Sequence, residues 1–266
     1  MPGIHYESRG KVGVITLHRP EALNAMSRRM VSDLLAILET TESDTELRVL
    51  VITGTGRSFS SGIDLKEMGT RDAITEAEQR QELNELQELT RRIVAHPKIV
   101  IAAINGIAVG IGAELAIACD LRIAAETATL RFPEVKLGLF HTNGLMYLLP
   151  RLVGAARATR WLLSGETISA AELRAAGVVS QLVPADVVLS VALSWANELA
   201  ANAPLSMELA KRLLRRSSEL SLDQTLDEEI ENVIRCSKTV EAREALRAFR
   251  ARDAGRGMGD ALRPKG

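Results

Sequence analysis

Aromatic residues are scarce in this chain, with 4 Phe, 2 Trp and 2 Tyr among 266 residues. Reading nucleic acid by stacking needs a row of aromatic faces, so the composition argues against that mode of recognition. Charge of either sign is not in excess: 33 Lys and Arg stand against 34 Asp and Glu, a formal net charge of -1. No general basic field is left to draw in nucleic acid or an anionic membrane, and only a local patch is compatible with this balance. Cysteine is limited to Cys119 and Cys236, which form no CxxC pair, so neither a disulfide framework nor a zinc cluster is suggested. A membrane-length apolar run is also missing. The longest, residues 99–113, is interrupted by Asn105 and closed by Glu114, short of the roughly 18 to 20 clean residues a span needs. The first residues lack the basic and apolar regions of an export signal, which makes the cytoplasm the expected location.

What is present is an ordinary core-forming composition, 46% hydrophobic and 25% charged, enough for one large domain or two without metal or disulfide support. Apolar runs at residues 12–17, 48–53, 99–104, 121–124, 129–132 and 178–183 read as strands, and residues 58–64 as a loop. Between them lie helical patterns. Ser27 can cap one that carries Met30, Leu34, Leu35 and Leu38 on one face, and residues 72–96 carry a stripe of Leu83, Leu86, Leu89 and Ile93 ended by Pro97. Ser169 and Glu172 have capping-box spacing before a helix ended by Gly177. Small apolar helices between β-branched strands predict α/β layering. Beyond residue 185 the chain reads as almost all helical, so the expected organisation is a core over 1–200, a helical region over 201–253 and a mobile tail over 254–266.

Two glycine-punctuated loops, residues 61–64 and 109–112, would leave backbone N–H groups free, and free N–H groups at a helix start attract negative charge. Facing one cleft, they would form an oxyanion hole. A lone Gly-rich loop usually does no more than turn the chain, but Glu114 and Glu134 add to these two. A carboxylate among Gly112, Ala113, Leu115 and Ala116 is costly to bury unless paired, protonated or used, the bland alternative being a structural salt bridge. Other motifs are incomplete. Gly110-Ile111-Gly112 is followed by Leu115 where a dinucleotide fingerprint needs glycine, Gly54-Thr55-Gly56-Arg57-Ser58 lacks the Walker lysine, and Gly56-Arg57-Ser58-Phe59-Ser60 lacks the last glycine of a nucleophile elbow. His5, His18, His96 and His141 show no metal-ligand spacing and read as surface or satisfied side chains, His141 being the one near the proposed site.

Four ordered motifs carry a resemblance. Residues 58–68 (SFSSGIDLKEM) and 103–115 (AINGIAVGIGAEL) resemble the two oxyanion-hole motifs of the enoyl-CoA hydratase/isomerase (crotonase) superfamily, and residues 18–26 (HRPEALNAM) and 132–138 (FPEVKLG) match it as well. The resemblance implies an α/β fold, a crotonase-like spiral of repeated ββα units with a helical C-terminal region used for oligomerisation as a trimer or hexamer. It further implies an acyl-CoA substrate, no metal and no cofactor. The backbone N–H groups of Ile63 and Ile111 would hold the thioester oxygen, Glu114 would act mainly on water, and Glu134 mainly on the α proton. Ala22, Leu23, Asp64, Leu65, Lys66 and Gly110 would border the CoA.

The chain departs from the common hydratase pattern at Ile111, where many members have glycine, and over residues 139–145, which lack the usual Pro-Gly and double-Gly run. A β-branched side chain at 111 leaves the N–H in place but narrows the site. The second departure reads either as drift or as altered substrate choice. Thr142 stands where dienoyl-CoA isomerases place a catalytic aspartate, which counts against that reaction. The expected activity is hydration of an enoyl-CoA. Alternatives are a double-bond isomerase using Glu134 alone and a non-catalytic acyl-CoA-binding protein.

Overall fold

The computed structural model describes residues 3–67 and 74–255. Two compact units divide the chain after Ala201. The first begins with β1 (Gly3–Arg9) and β2 (Val12–His18), then α1 (Arg28–Ser43), β3 (Val49–Gly54), β4 (Ser58–Ser60) and α2 (Glu76–Ala95). It continues through β5 (Ile99–Ile104), β6 (Ile107–Val109), α3 (Ile111–Ala118), β7 (Leu121–Ala125) and β8 (Thr129–Arg131). After a 3-10 turn over Glu134–Leu137 come α4 (Leu145–Val153), α5 (Ala155–Ser164), β9 (Thr167–Ser169), α6 (Ala170–Ala175), β10 (Gln181–Val183) and α7 (Val188–Ala200).

The repeat is a strand, a tight turn, a second strand and a helix. Each first strand enters a six-stranded sheet of order β1-β2-β3-β5-β7-β10, and each second strand a four-stranded sheet of order β4-β6-β8-β9. The successive strands β3, β5 and β7 pair in parallel, as do β4, β6 and β8, so the chain winds as a spiral with one layer per turn. Unbroken apolar strands suit this arrangement, because a parallel sheet covered on both faces has no polar side. Val49, Leu50, Val51 and Ile52 are accordingly fully buried, and α7 packs Val188, Ala192 and Ala196 into the same core. Glycine makes the turns tight enough. A Cβ on Gly106 would lie 2.1 Å from the Arg57 carbonyl oxygen, and one on Gly54 would lie 2.3 Å from that of Ser58.

Several expectations need correction. Residues 58–60 are a strand, β4, before the loop proper begins, and β10 is confined to Gln181–Val183 within the expected 178–183. β1 is a largely exposed edge strand without the apolar alternation by which strands are read. The helix expected from 72 starts at Glu76 under a Thr75–Glu78 capping box, and residue 72 lies outside the described residues. Of its stripe, Leu89 and Ile93 enter the core while Leu83 stays 37% exposed. The Ser169 hydroxyl accepts from the Glu172 N–H as expected, but the Glu172 carboxylate turns to Arg160 and Trp161 instead of closing the box.

The second unit holds α8 (Pro204–Arg216), α9 (Leu222–Ser237) and α10 (Val240–Gly255). Pro204 opens α8, where its missing N–H costs nothing, and Ser221 with Gln224 forms a capping box on α9. Leu222, Leu226, Ile230 and Val233 recur at helical spacing along α9, and all are exposed. Of the expected tail over 254–266, residues 254–255 end α10 and the rest lies outside the described residues.

Candidate active site

The turn between β6 and α3 places Gly110 at φ 52°, a left-handed backbone that suits glycine, and α3 then starts directly at Ile111. The first N–H groups of α3 have no acceptor within the helix, and Gly110, Ile111 and Glu114 at this end line a cleft of about 1020 Å³. The opposite end of α3 is pinned by the buried Arg122, whose guanidinium donates to the carbonyls of Ala116, Ile117 and Cys119. A cation there complements the helix dipole. Close packing fixes its depth: a Cβ on Gly112 would lie 2.5 Å from the Ser60 carbonyl oxygen.

The second loop is held by the segment over residues 18–26. Buried Asn24 donates through Nδ2 to the carbonyls of Thr55 and Ser58, and the Ser60 hydroxyl donates back to the Asn24 carbonyl. Ile63 pairs with Met26 as a parallel bridge, in which Met26 N–H donates to the Gly62 carbonyl and Asp64 N–H to the Met26 carbonyl. Such a bridge uses the groups flanking Ile63, so the Ile63 N–H itself faces away from Met26. Ile63 and Ile111 both line the cleft.

Glu114 sits on the first turn of α3 and is 2% exposed. Its carboxylate accepts from Asn143 Nδ2 at 2.6 Å, and from the Thr142 N–H and hydroxyl at 3.3 Å each. Burial dominates nonetheless, and with the nearby Glu134 charge it outweighs these bonds and raises the carboxyl from 4.5 to about 7. Asn143 can supply its donor because it adopts a left-handed turn, φ 52°, at the end of the segment. Glu134 opens the 3-10 turn after β8. A Cβ on Gly110 would stand 3.0 Å from Glu134 Oε1, so glycine there also makes room for this carboxylate.

His141 completes the group: its Nδ1 lies 2.9 Å from Glu134 Oε2, and its Nε2 lies 3.1 Å from the Leu162 carbonyl oxygen. Glu114, Glu134 and His141 bring one atom each within 4.8 Å of one another, close enough to hold a proton or a small cation. Three donors already occupy lone-pair sites on Glu114, so a shared proton suits this donor set better. The expected reading of His141 as a satisfied side chain holds for Nε2 alone.

Other expected contacts divide. Asp64, Leu65 and Gly110 line the cleft, whereas Ala22, Leu23 and Lys66 are absent from its lining. Ala22 and Leu23 instead give their carbonyls to the Ser61 hydroxyl and N–H, which fixes the loop before Ile63. The Asp64 carboxylate is committed to Arg19 and to the Lys66 N–H, and the Arg19 hydrogen bond holds it below the usual carboxylate range. His141, Thr142 and Asn143 are the residues the sequence did not single out as partners of the two glutamates. Their one signal was the departure over residues 139–145, which places polar side chains where relatives turn on glycine.

The enoyl-CoA hydratase/isomerase family model matches residues 7–254. The chain belongs to this family. It is 38% identical over 240 residues to the 2,3-dehydroadipyl-CoA hydratase of Escherichia coli, covering 90% of this chain and 92% of that one. It is 34% identical to the short-chain-enoyl-CoA hydratase of Clostridium acetobutylicum, covering 91% and 92%. The crystal structure of an enoyl-CoA hydratase from Bacillus anthracis superposes with a TM-score of 0.89 at 33% identity, over 94% of this chain and 96% of that one. For this family member the ββα spiral is therefore the family's fold.

Proposed function

We propose that the protein is an enoyl-CoA hydratase, adding water across the 2,3 double bond of an enoyl-CoA thioester. The observation that carries the reading is the pair Glu114 and Glu134 in one cleft beside the Ile63 and Ile111 loops. Hydration needs two proton transfers, one from water and one to the α carbon, so it needs two groups. An isomerase moves a single proton and needs only one of the two carboxylates.

The thioester oxygen accepts from the Ile63 and Ile111 N–H groups, which stabilises the negative charge it gains as the enolate forms. Glu114, as carboxylate, takes a proton from water, whose oxygen bonds to the β carbon. Glu134 delivers its proton to the α carbon. This route uses no metal and no redox cofactor. Leu65 and Gly110 border the thioester arm, with Asp64 acting through Arg19, while Ala22, Leu23 and Lys66 lie toward the CoA beyond the acyl cleft. The two relatives' names support a 2-enoyl-CoA substrate. No helix among the described residues is long and apolar enough to cross a membrane, and the reading places the enzyme in the cytoplasm. The exposed stripe on α9 supports burial of this face against another surface, and the family resemblance makes that assembly a homotrimer or homohexamer.

Product analysis tests the reading. Incubation with a short 2-enoyl-CoA gives the 3-hydroxyacyl-CoA, and 3-enoyl-CoA is left largely unconverted. Conversion of 3-enoyl-CoA to the 2-enoyl isomer without hydroxyacyl product overturns it in favour of isomerisation, and binding without turnover in favour of a carrier.

A further inference from the structure

The His141 ring is almost wholly shielded, with 1% of its side chain exposed, and its two nitrogens face different partners. At 3.1 Å from Nε2 stands the Leu162 carbonyl, which has no proton to give, so Nε2 must carry the hydrogen. A neutral ring then presents a bare lone pair at Nδ1. That lone pair is 2.9 Å from Glu134 Oε2, and neither atom has another hydrogen-bond partner among the described residues. The approach is not aligned as a finished hydrogen bond, a common state of catalytic pairs before substrate binds. Two buried lone pairs at this distance repel, and leaving both unsatisfied is costly. One proton therefore belongs between them, on the carboxyl or on the ring.

We propose that His141 is a positioning residue that shares one proton with Glu134 and so holds that carboxyl ready for its transfer to the α carbon. The inference rests on the hydratase reading above. In the hydration direction the proton leaves Glu134 for the α carbon while water gives one proton to Glu114 and its oxygen to the β carbon. The π pair of the double bond becomes the new C–H bond. Glu134 is left as carboxylate and Glu114 as acid, and the proton on Glu114 returns through solvent to the Glu134–His141 pair, so one water is consumed and the enzyme is restored. The charged groups around the ring are Glu134 from its own segment and Glu114 from α3, with the Leu162 carbonyl from α5.

Kinetics of His141→Leu and His141→Asn against the parent enzyme test this. The leucine variant lowers kcat by at least about tenfold with KM within about twofold, and displaces one limb of the kcat–pH profile. Asparagine, which offers Glu134 a polar partner that does not titrate, restores part of the rate but not the limb. Parent-like kcat and both limbs in the leucine variant would overturn the proposal, whereas absence of hydration by the parent enzyme would overturn the hydratase reading instead. Nitrogen-15 NMR of labelled histidine in the intact protein decides the matter even where the leucine variant fails to fold. Nε2 of His141 carries the hydrogen, and Glu134→Gln moves the Nδ1 resonance. A bare Nε2, or an Nδ1 indifferent to Glu134→Gln, contradicts the proposal.

Discussion

At the scale of single residues, Glu114 is a carboxyl buried at a cost. Its carboxyl is raised from 4.5 to about 7 chiefly by burial, so the folded protein binds this proton more tightly than the unfolded chain does. The stability this group lends is complete below pH 4.5 and is lost as pH rises through about 7. Glu114→Gln is therefore expected to be more stable than the parent at pH 8, by up to about 3 kcal/mol, and so to melt higher, with the gap closing toward pH 5, while hydration falls at least about 100-fold. Thermal melts at both pH values check the sign; a variant less stable at pH 8 would show that the donors from Thr142 and Asn143 outweigh burial. Both glutamates were legible in the sequence because each interrupts an apolar or strand-end context that otherwise has no use for charge. Their partners were not, since Thr142 and Asn143 reach Glu114 from 28 and 29 residues away. Only folding brings them together.

At the scale of elements, the site is a matter of how closely α3 lies on β4. Adding a methyl at Gly112 would set it 2.5 Å from the Ser60 carbonyl oxygen and 2.7 Å from Ser60 Cβ, and backbone cannot swing aside as a long side chain can. Gly112→Ala is expected to cost roughly 1–3 kcal/mol and to lower kcat, because relief of the clash moves the turn that presents the Ile111 N–H. Denaturant midpoints and hydration rates measured together check it; loss of stability with kcat intact would detach the turn from catalysis. Long apolar strands and capped helices could be read directly, as β3, β5 and the Ser27 cap on α1 illustrate. Of the second sheet only β8, within the apolar run 129–132, could be. β4, β6 and β9 span three residues each, too few for a period-2 pattern to declare itself, and β1 is nearly all polar and exposed.

At the scale of the whole molecule, the near-neutral, aromatic-poor composition fits a protein that grips its ligand with backbone N–H groups and aliphatic side chains. Leu222, Leu226, Ile230 and Val233 form an exposed apolar stripe on α9, a costly surface to leave in water. The proposed assembly through this face predicts that Ile230→Asp combined with Val233→Asp lowers the mass relative to the parent, read by light scattering after size exclusion. An unchanged mass would remove α9 from the interface.

The central claim is that two carboxylates, Glu114 and Glu134, divide the two proton transfers of hydration. Loss of the conjugated thioester absorbance of a short 2-enoyl-CoA measures it most directly, compared between the parent enzyme and Glu134→Gln. The account predicts steady hydration by the parent and essentially none by the variant, with CoA-ester binding retained. Hydration by Glu134→Gln at a rate near the parent's would contradict it.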